Sequence, residues 1–161
     1  MTIALYAGSF DPLTLGHVTL IKRACPYFDR IIVAVMTNTH KHYTLSTNER
    51  QAVAQDAVKN FKQVEVISAP EMLTVELAQK VNAQVLLRGV RDSQDLAYEM
   101  GIFNMNHHLS STIDTFFLPA LPDQVAVSSS MLKEVIQFGG DVSEFLTPLA
   151  YNLLKTKLVQ S

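Results

Sequence analysis

Five apolar runs of strand length alternate with helical patterns and polar loops, and this alternation limits the possible folds more than any other feature. The runs cover residues 3–7, 30–36, 63–68, 84–88 and 113–118. Neighbouring strands that are joined through a helix pair in parallel, because the chain must cross back before the next strand begins. The sequence therefore predicts one α/β domain over residues 1–161, with a doubly wound five-stranded parallel sheet, helices on both of its faces and further helices at the C-terminus.

Local signals set the expected ends of the helices. The first helix should end near Pro26, since the residue before a proline disfavours helical geometry. Ser46 and the glutamate three residues later form a capping box at the start of a second helix. Another helix is expected over residues 72–81, and Asp92 can cap a long helix that continues to about residue 109. A last helical segment over residues 141–158 is broken or entered near Pro148. Along the long helix, three apolar residues share one face: Leu96, Met100 and Phe103.

Composition excludes several classes of partner. The 161-residue chain has a net charge of −2, a pI near 6.2 and no basic run, which argues against a nucleic-acid surface. We expect small molecules or other protein chains as partners instead. The lone Cys25 cannot form an internal disulfide and is best interpreted as a small core residue. With no apolar stretch of membrane-spanning length, these features predict a cytoplasmic protein.

The loop after the first strand carries the chain's most specific chemistry. Gly8 permits a sharp turn, Asp11-Pro12 favours another, and Gly16 beside His17 lets a ligand approach the N-terminus of the first helix. Free N–H groups and the helix dipole attract anions there. No Walker sequence or dinucleotide glycine pattern is present. A phosphate loop with a histidine in place of a lysine indicates chemistry at the α-phosphate of a nucleotide.

Other polar candidates also follow strands. They are residues 9–17 after the first strand, Lys41 after the second, Thr74 beyond the third, residues 88–91 at the end of the fourth, and residues 124–130 after the fifth. In open α/β sheets, ligands bind beyond the carboxyl ends of the strands, where the strand order reverses. The sequence thus predicts that all these residues lie along one edge of the sheet.

Several of these motifs resemble a known family. Thr14-Leu15-Gly16-His17 is similar to the T/H-x-G-H signature of the nucleotidylyltransferase superfamily. Residues 8–12, Arg88-Gly89-Val90-Arg91, Tyr98-Glu99-Met100 and Val127-Ser128-Ser129-Ser130 extend the match. Together they resemble the bacterial phosphopantetheine adenylyltransferases across essentially the whole chain.

The resemblance implies a Rossmann-like fold and a reaction. The family transfers the adenylyl group of ATP to 4′-phosphopantetheine, which gives 3′-dephospho-coenzyme A and pyrophosphate in coenzyme A biosynthesis. Magnesium would accompany the triphosphate, and no residue is assigned as a direct metal ligand. Relatives form homohexamers, so the same assembly is expected here.

The resemblance also implies a division of the site. His17 would stabilise the charge that develops on the α-phosphoryl group. ATP would be held by Ser9, Phe10, His17, Gly89, Val90, Arg91, Glu99, Gln124, Val125, Ala126, Val127, Ser128, Ser129 and Ser130. The acceptor would be held by Ser9, Lys41, Leu73, Thr74, Arg88, Ile102 and Asn106. Lys133 occupies a position where many superfamily members have an arginine, and no role is assigned to it.

Each candidate also has a purely structural interpretation. His17 is a polar residue in the first turn of a helix, and Lys41 lies in a loop where lysines are commonly solvated. Arg88 could form a surface ion pair, and Arg91 could pair with Glu99. The serines at 128–130 can be an ordinary helix cap.

Two alternative functions remain open from the sequence. One is another small nucleotidylyltransferase, with nicotinamide mononucleotide or glycerol phosphate as acceptor. The late motif typical of the glycerol-phosphate enzymes is absent, however. The other is a regulatory nucleotide-binding module without turnover, which the fold alone does not exclude. Positive charge at Lys41 and Arg88, beyond the nucleotide loop, favours an enzyme with a second phosphorylated substrate.

Overall fold

A computed structural model describes residues 1–38, 40–122 and 127–159. The strands are β1 (Ile3–Gly8), β2 (Arg30–Met36), β3 (Val64–Ala69), β4 (Val85–Val90) and β5 (Asp114–Pro119). The α-helices are α1 (Leu15–Ala24), α2 (Thr47–Val58), α3 (Thr74–Lys80), α4 (Ser93–Leu109), α5 (Ser129–Gln137) and α6 (Pro148–Val159). Short 3₁₀ turns cover Cys25–Tyr27 and Ser143–Phe145.

The strands form one parallel sheet in the order β3-β2-β1-β4-β5. The strand order reverses between β1 and β4, which are paired through Ala4 with Val85 and Leu5 with Leu86. By contrast, β1 pairs with β2 along its whole length, from Ile3 with Arg30 to Gly8 with Val35. The predicted doubly wound parallel sheet is confirmed, and its switch point lies where β1 and β4 end.

The sheet is buried on both faces because its strands alternate between two apolar clusters. Ala4 and Tyr6 of β1 lie in a cluster that also contains buried side chains of α1, α2, α5 and α6. Leu5 and Ala7 lie in the opposite cluster, with side chains of α3. The period of two along a strand explains this division. The expected helices on both faces are therefore present.

Most predicted helix boundaries are confirmed. The helix α1 ends before the turn that contains Pro26, and Ser46 caps α2 in a reciprocal capping box with Glu49. Asp92 caps α4 through the backbone N–H groups of Gln94 and Asp95. The helix α3 is shorter than predicted, since it covers only Thr74–Lys80. The last segment is entered at Pro148, as predicted, after a 3₁₀ turn at Ser143–Phe145.

The long helix α4 differs from its predicted packing. Leu96 and Met100 were expected on an apolar face, but their side chains are exposed at 40% and 39%. The residue of α4 that is buried is the acidic Glu99. Phe103, the third residue of the predicted apolar face, is half-buried and its ring lies 6.5 Å from that of Phe117 of β5. The ion pair described below turns the Glu99 carboxylate toward the sheet.

Within the described ranges, none of the helices combines the length and the apolar character that a bilayer-spanning helix requires.

Removal of the cap on α2 should destabilise the fold. The Ser46 hydroxyl accepts a hydrogen bond from the Glu49 N–H at 3.3 Å, and the Glu49 carboxylate accepts one from the Ser46 N–H at 2.7 Å. We expect Ser46→Ala to lower the free energy of unfolding by about 1 kcal/mol. Urea denaturation measures the change. Thr156→Ala, which removes an exposed hydroxyl bonded within α6, is the control and should stay within about 0.5 kcal/mol of the parent chain.

Candidate active site

The loop between β1 and α1 lies at the switch point of the sheet. Phe10 has a φ of 46°, in the left-handed region that side chains rarely adopt, and the Asp11–Pro12 peptide bond is cis. Such backbone geometry is retained where the surrounding structure holds it. The Arg50 guanidinium provides one restraint, since it donates to the carbonyl of Ser9 at 2.6 Å and to that of Met36 at 2.8 Å.

A buried carboxylate holds this loop against two other segments. Asp11 accepts hydrogen bonds from the N–H groups of Thr44 and Leu45, both at 2.9 Å. It also forms an ion pair with Lys133 of α5 at 2.7 Å. Asp11 was interpreted from the sequence as a turn former only. In the structure it joins the β1–α1 loop to the segment that precedes α2 and to the helix α5.

His17 lies in the first turn of α1 with its ring held in one orientation. Its Nδ1 accepts a hydrogen bond from the N–H of Thr14 at 2.9 Å, while the His17 N–H donates to the Thr14 hydroxyl at 3.4 Å. Because Nδ1 is an acceptor, the ring proton is on Nε2. The spacing Thr-x-x-His resembles a capping box, with histidine in place of glutamate. His17 is therefore both a capping residue and a hydrogen-bond donor through Nε2.

The surroundings of His17 keep its imidazole neutral. The rings of Tyr6 and Phe10 lie 6.2 and 5.4 Å from the imidazole, measured between centroids. Burial, with a smaller contribution from the positive charge of Arg91, lowers the pKa of His17 to about 4. A neutral ring with its proton on Nε2 can donate a hydrogen bond without taking up a proton first.

Two cavities open beside the loop and share a wall. The first has a volume of about 590 Å³ and the second about 680 Å³. Ser9, Lys41 and Arg88 line both of them. The first cavity is also lined by His17, Gly89, Val90, Arg91, Glu99, Val127, Ser128, Ser129 and Ser130. The second is also lined by Leu73, Thr74 and Ile102. We call them the nucleotide cavity and the acceptor cavity, after the ligands that the sequence predicts for these residues.

The structure thus brings together most of the predicted residues and separates one. Asn106 lies on α4 one turn after Ile102, and it lines neither cavity. Its carbonyl accepts the N–H of Ser110 at the end of the helix. Gln124, Val125 and Ala126 lie outside the described residues.

Arg88 does pair with a carboxylate, but the pair is largely buried. Its Nε donates to one oxygen of Glu99 at 2.6 Å and its Nη2 to the other at 2.5 Å, while Nη1 donates to the Ala7 carbonyl at 3.1 Å. Burial alone would lower the pKa of Arg88, but the bonds to Glu99 outweigh it and raise that pKa. The suggestion that Arg91 pairs with Glu99 is wrong, because Glu99 pairs with Arg88. Arg91 instead contacts Asp95, with Nε 3.3 Å from the carboxylate.

The start of α5 uses two of its three serines to hold the backbone. The Ser128 hydroxyl accepts the N–H of Met131 at 3.1 Å, and the Ser129 hydroxyl donates to the Pro12 carbonyl at 2.9 Å. Ser130 is exposed at the nucleotide cavity. The structural interpretation of Ser128 as a cap is correct, and the helix N-terminus still faces the cavity.

Some residues of the site carry no clear signal in the sequence. Arg50 is fully buried, and its guanidinium stacks 4.0 Å from the ring centroid of Tyr43. Lys133 lines the nucleotide cavity together with Asp11. The spacing of the Thr14–His17 pair was a signal available from the sequence, since it follows the capping-box rule.

Gly89 shows why the fourth strand approaches the first helix so closely. A Cβ atom at this position would lie 2.4 Å from Cδ1 of Leu20. A side chain at position 89 would therefore displace the end of the Leu20 side chain, which lines the nucleotide cavity together with Gly89.

Comparison with known proteins shows the family of the chain. A family model described as cytidylyltransferase-like matches residues 5–135. A phosphopantetheine adenylyltransferase of Lactobacillus acidophilus is 48% identical over 158 residues, which cover 98% of each chain. One of Limosilactobacillus reuteri is 43% identical over 160 residues, which cover 99% of this chain and 92% of the relative.

A solved structure shows the same fold at lower identity. It comes from Vibrio parahaemolyticus and is provisionally described as a nicotinate-nucleotide adenylyltransferase. The match has a TM-score of 0.68 and 19% identity, and it covers 96% of this chain and 99% of the other. The fold and the family match define a nucleotidyltransferase. The sequence relatives are more specific, and the chain belongs to the phosphopantetheine adenylyltransferases of the cytidylyltransferase-like family.

The protonation state of His17 gives a testable pH dependence. Its folded pKa of about 4 lies below the ordinary value of 6.5, so the unfolded chain takes up this proton first as the pH falls. His17 should therefore remain neutral above about pH 5, and its stabilising contribution should be lost as the pH falls from about 6.5 through about 4. NMR titration of the imidazole measures this directly, and a midpoint near 6.5 would contradict the buried, neutral assignment.

Proposed function

We propose that this chain catalyses adenylyl transfer from ATP to 4′-phosphopantetheine, with the two cavities as the two substrate sites. The observation that carries the proposal is their shared wall of Ser9, Lys41 and Arg88, beside His17. Two anionic substrates bound in the two cavities would meet at that wall. The names of the sequence relatives support the same reaction.

The chemical step requires little covalent assistance from the protein. An oxygen of the acceptor phosphate attacks the α-phosphorus of ATP, the bond from that phosphorus to the bridging oxygen breaks, and pyrophosphate leaves with the electron pair. The phosphate is already ionised near neutral pH, so no general base is needed. Catalysis then depends on alignment and on stabilisation of developing charge.

His17 is suited to the stabilisation of developing charge. The Thr14 N–H fixes Nδ1 as an acceptor, which directs the Nε2–H toward a ligand. We infer that Nε2–H donates to an oxygen of the α-phosphoryl group. A donor that is already oriented in the free protein needs no reorganisation as charge develops.

Cations around the wall would hold the phosphates. Lys41 and Arg88 line both cavities, whereas Arg91 and Lys133 line only the nucleotide cavity of the two. Lys41 is exposed, and a flexible ammonium can follow a phosphate as it reacts. Leu73 and Ile102 provide apolar contacts in the acceptor cavity that suit the pantetheine arm.

Magnesium is proposed to enter with ATP. This cation keeps several water ligands and is commonly bound through substrate phosphates with one or two carboxylates. Asp11 lines the nucleotide cavity, but both of its oxygens already accept hydrogen bonds. In the described parts of the chain, no three histidine, cysteine or acidic side chains are grouped to hold a metal ion.

Two broader expectations also belong to this proposal. Exposed apolar side chains on α4, among them Tyr98 at 69% and Met105 at 60%, support self-association such as the expected homohexamer. A cytoplasmic location suits an enzyme of coenzyme A biosynthesis.

A regulatory module without turnover is less well supported, since it would not need the acceptor cavity.

The reaction can be tested by pyrophosphate release. We expect release with ATP, magnesium and 4′-phosphopantetheine, and none with dephosphorylated pantetheine, because the attacking oxygen would be absent. Nicotinamide mononucleotide and glycerol phosphate serve as alternative acceptors in the same assay. Binding of ATP without turnover of any acceptor would favour the regulatory module.

Removal of the imidazole should act on the chemical step. We expect His17→Ala to lower kcat by roughly 10²–10³ with little change in ATP affinity, as for other donors that act on developing charge. Steady-state kinetics together with calorimetric ATP titration separate the two effects. His107→Ala, at the exposed end of α4, is the matched control and should leave kcat unchanged. Full kcat in the His17 variant would show that this residue is only a cap.

A further inference from the structure

Arg50 is a buried cation that lies outside both substrate cavities. It belongs to the first turn of α2, its side chain is fully buried, and it lines neither cavity. None of the ion pairs formed among the described residues includes it. A buried positive charge is strongly unfavourable unless polar groups of the protein compensate it. The groups that do so therefore indicate what this cation holds in place.

One terminal nitrogen of Arg50 joins the ends of the first two strands. In the β1–β2 register the last pair is Gly8 with Val35, so Ser9 and Met36 would form the next one. The carbonyls of these two residues accept hydrogen bonds from Nη1 of Arg50, at 2.6 and 2.8 Å. The guanidinium thus connects the strands one residue beyond their own pairing, where β1 continues into the β1–α1 loop.

The other side of the guanidinium contacts the chain between β2 and α2. Nη2 donates to the hydroxyls of Thr37 and Thr47, at 3.4 and 3.2 Å. The ring of Tyr43 stacks on the guanidinium, with its centroid 4.0 Å from Cζ. A planar cation is well suited to such a contact with an aromatic face. Arg50 is therefore bound to both ends of this connection and to a residue within it.

Tyr43 extends these contacts to Lys41. The Tyr43 hydroxyl accepts a hydrogen bond from the N–H of Asn38 at 2.9 Å, and the Asn38 carbonyl accepts one from the N–H of Lys41 at 3.0 Å. Lys41 thus lies in the chain between two residues that bond to each other, one of which stacks on Arg50. Its side chain is exposed and lines both cavities.

We propose that Arg50 is a positioning residue for adenylyl transfer, which fixes Ser9 and Lys41 relative to each other at the shared wall of the two cavities without contacting either substrate. This inference rests on the proposed function, in which the two substrates meet at that wall. In-line attack requires close alignment of the reacting groups, so a shift of about 1 Å between the wall residues can lower the rate about a hundredfold.

A guanidinium is suited to this role and a lysine is not. Its N–H groups lie in one plane and serve partners on both terminal nitrogens, whereas an ammonium has a single nitrogen and no face for Tyr43. Nε of Arg50 is buried without a hydrogen-bond partner among the described residues. Because an unpaired buried donor is unfavourable, the contacts of the two terminal nitrogens and of the Tyr43 ring explain why arginine is placed here.

Matched lysine variants test the proposal. We expect Arg50→Lys to lower kcat about tenfold or more, while the dissociation constants of ATP and 4′-phosphopantetheine, titrated separately, change by less than about threefold. Each substrate alone depends on contacts within its own cavity, but their mutual alignment depends on both sides of the wall. Pyrophosphate release and calorimetry measure the two effects, and urea denaturation shows that the assayed variant is folded.

Arg30→Lys is the matched control. Arg30 begins β2, at the opposite end of this strand from Met36, and it pairs with Glu65 at the surface. The same substitution there should leave kcat within about twofold of the parent chain.

A change at Tyr43 tests the proposal without altering the buried cation. Tyr43→Leu removes the stacked ring and should also lower kcat more than it weakens ATP or the acceptor. Tyr43→Phe keeps the ring on Arg50 and should retain more of kcat than the leucine variant. Since Tyr43 lines the nucleotide cavity, the ATP titration decides whether its ring acts on the ligand instead. If Arg50→Lys does not fold, the two Tyr43 variants provide the same comparison.

Three outcomes would overturn the inference. They are an unchanged kcat in folded Arg50→Lys, a loss of kcat matched by an equal loss of affinity for both substrates, and a Tyr43→Leu variant that weakens ATP with kcat unchanged. Failure of the proposed function would be seen separately, as a parent chain that releases no pyrophosphate with ATP and 4′-phosphopantetheine, and it would remove this inference as well.

Discussion

The buried carboxylate of Asp11 is the interaction on which the geometry of the site depends. It joins the loop after β1 to the Thr44–Leu45 backbone and to Lys133, residues that are 33, 34 and 122 positions away in the chain. A buried charge without partners is strongly unfavourable, so each of the three contacts stabilises the others' arrangement. Through this single group, the loop that leads into α1 and His17, the segment that follows Lys41 and the helix α5 have a fixed relation to one another.

A second constraint is the distribution of charge around the neutral imidazole. Arg88, Arg91 and Lys133 each pair with a carboxylate of the protein, respectively Glu99, Asp95 and Asp11. These partners hold the cations in place in the free protein. His17, whose pKa is lowered by burial and by Arg91, remains an uncharged donor among them. Under the proposed function, the fixed positive charges would bind the phosphates of the substrates, and the neutral donor would need little reorganisation as charge develops during reaction.

Most of the fold was predictable because the signals that set it are local or periodic. All five strands lie within two residues of their predicted positions, and the cap at Ser46 follows directly from its capping box. The edge of the sheet where the polar residues collect was also predictable, since the carboxyl ends of parallel strands point the same way. The packing of α4 was not. Leu96 and Met100 are exposed while Glu99 is buried, and a hydrophobic pattern cannot register the attraction between Glu99 and an arginine on β4.

By itself, the sequence determined the strands, the helix caps and the family, because each depends on residues close together or on a pattern along the chain. Only the tertiary structure decided which charged groups meet. Arg91 pairs with Asp95 and not with Glu99, Lys133 reaches Asp11, and Arg50 supports the Ser9 carbonyl. The Lys133–Asp11 and Arg50–Ser9 contacts depend on distances of a few ångströms between separate elements, and these distances are set by how the helices pack on the sheet.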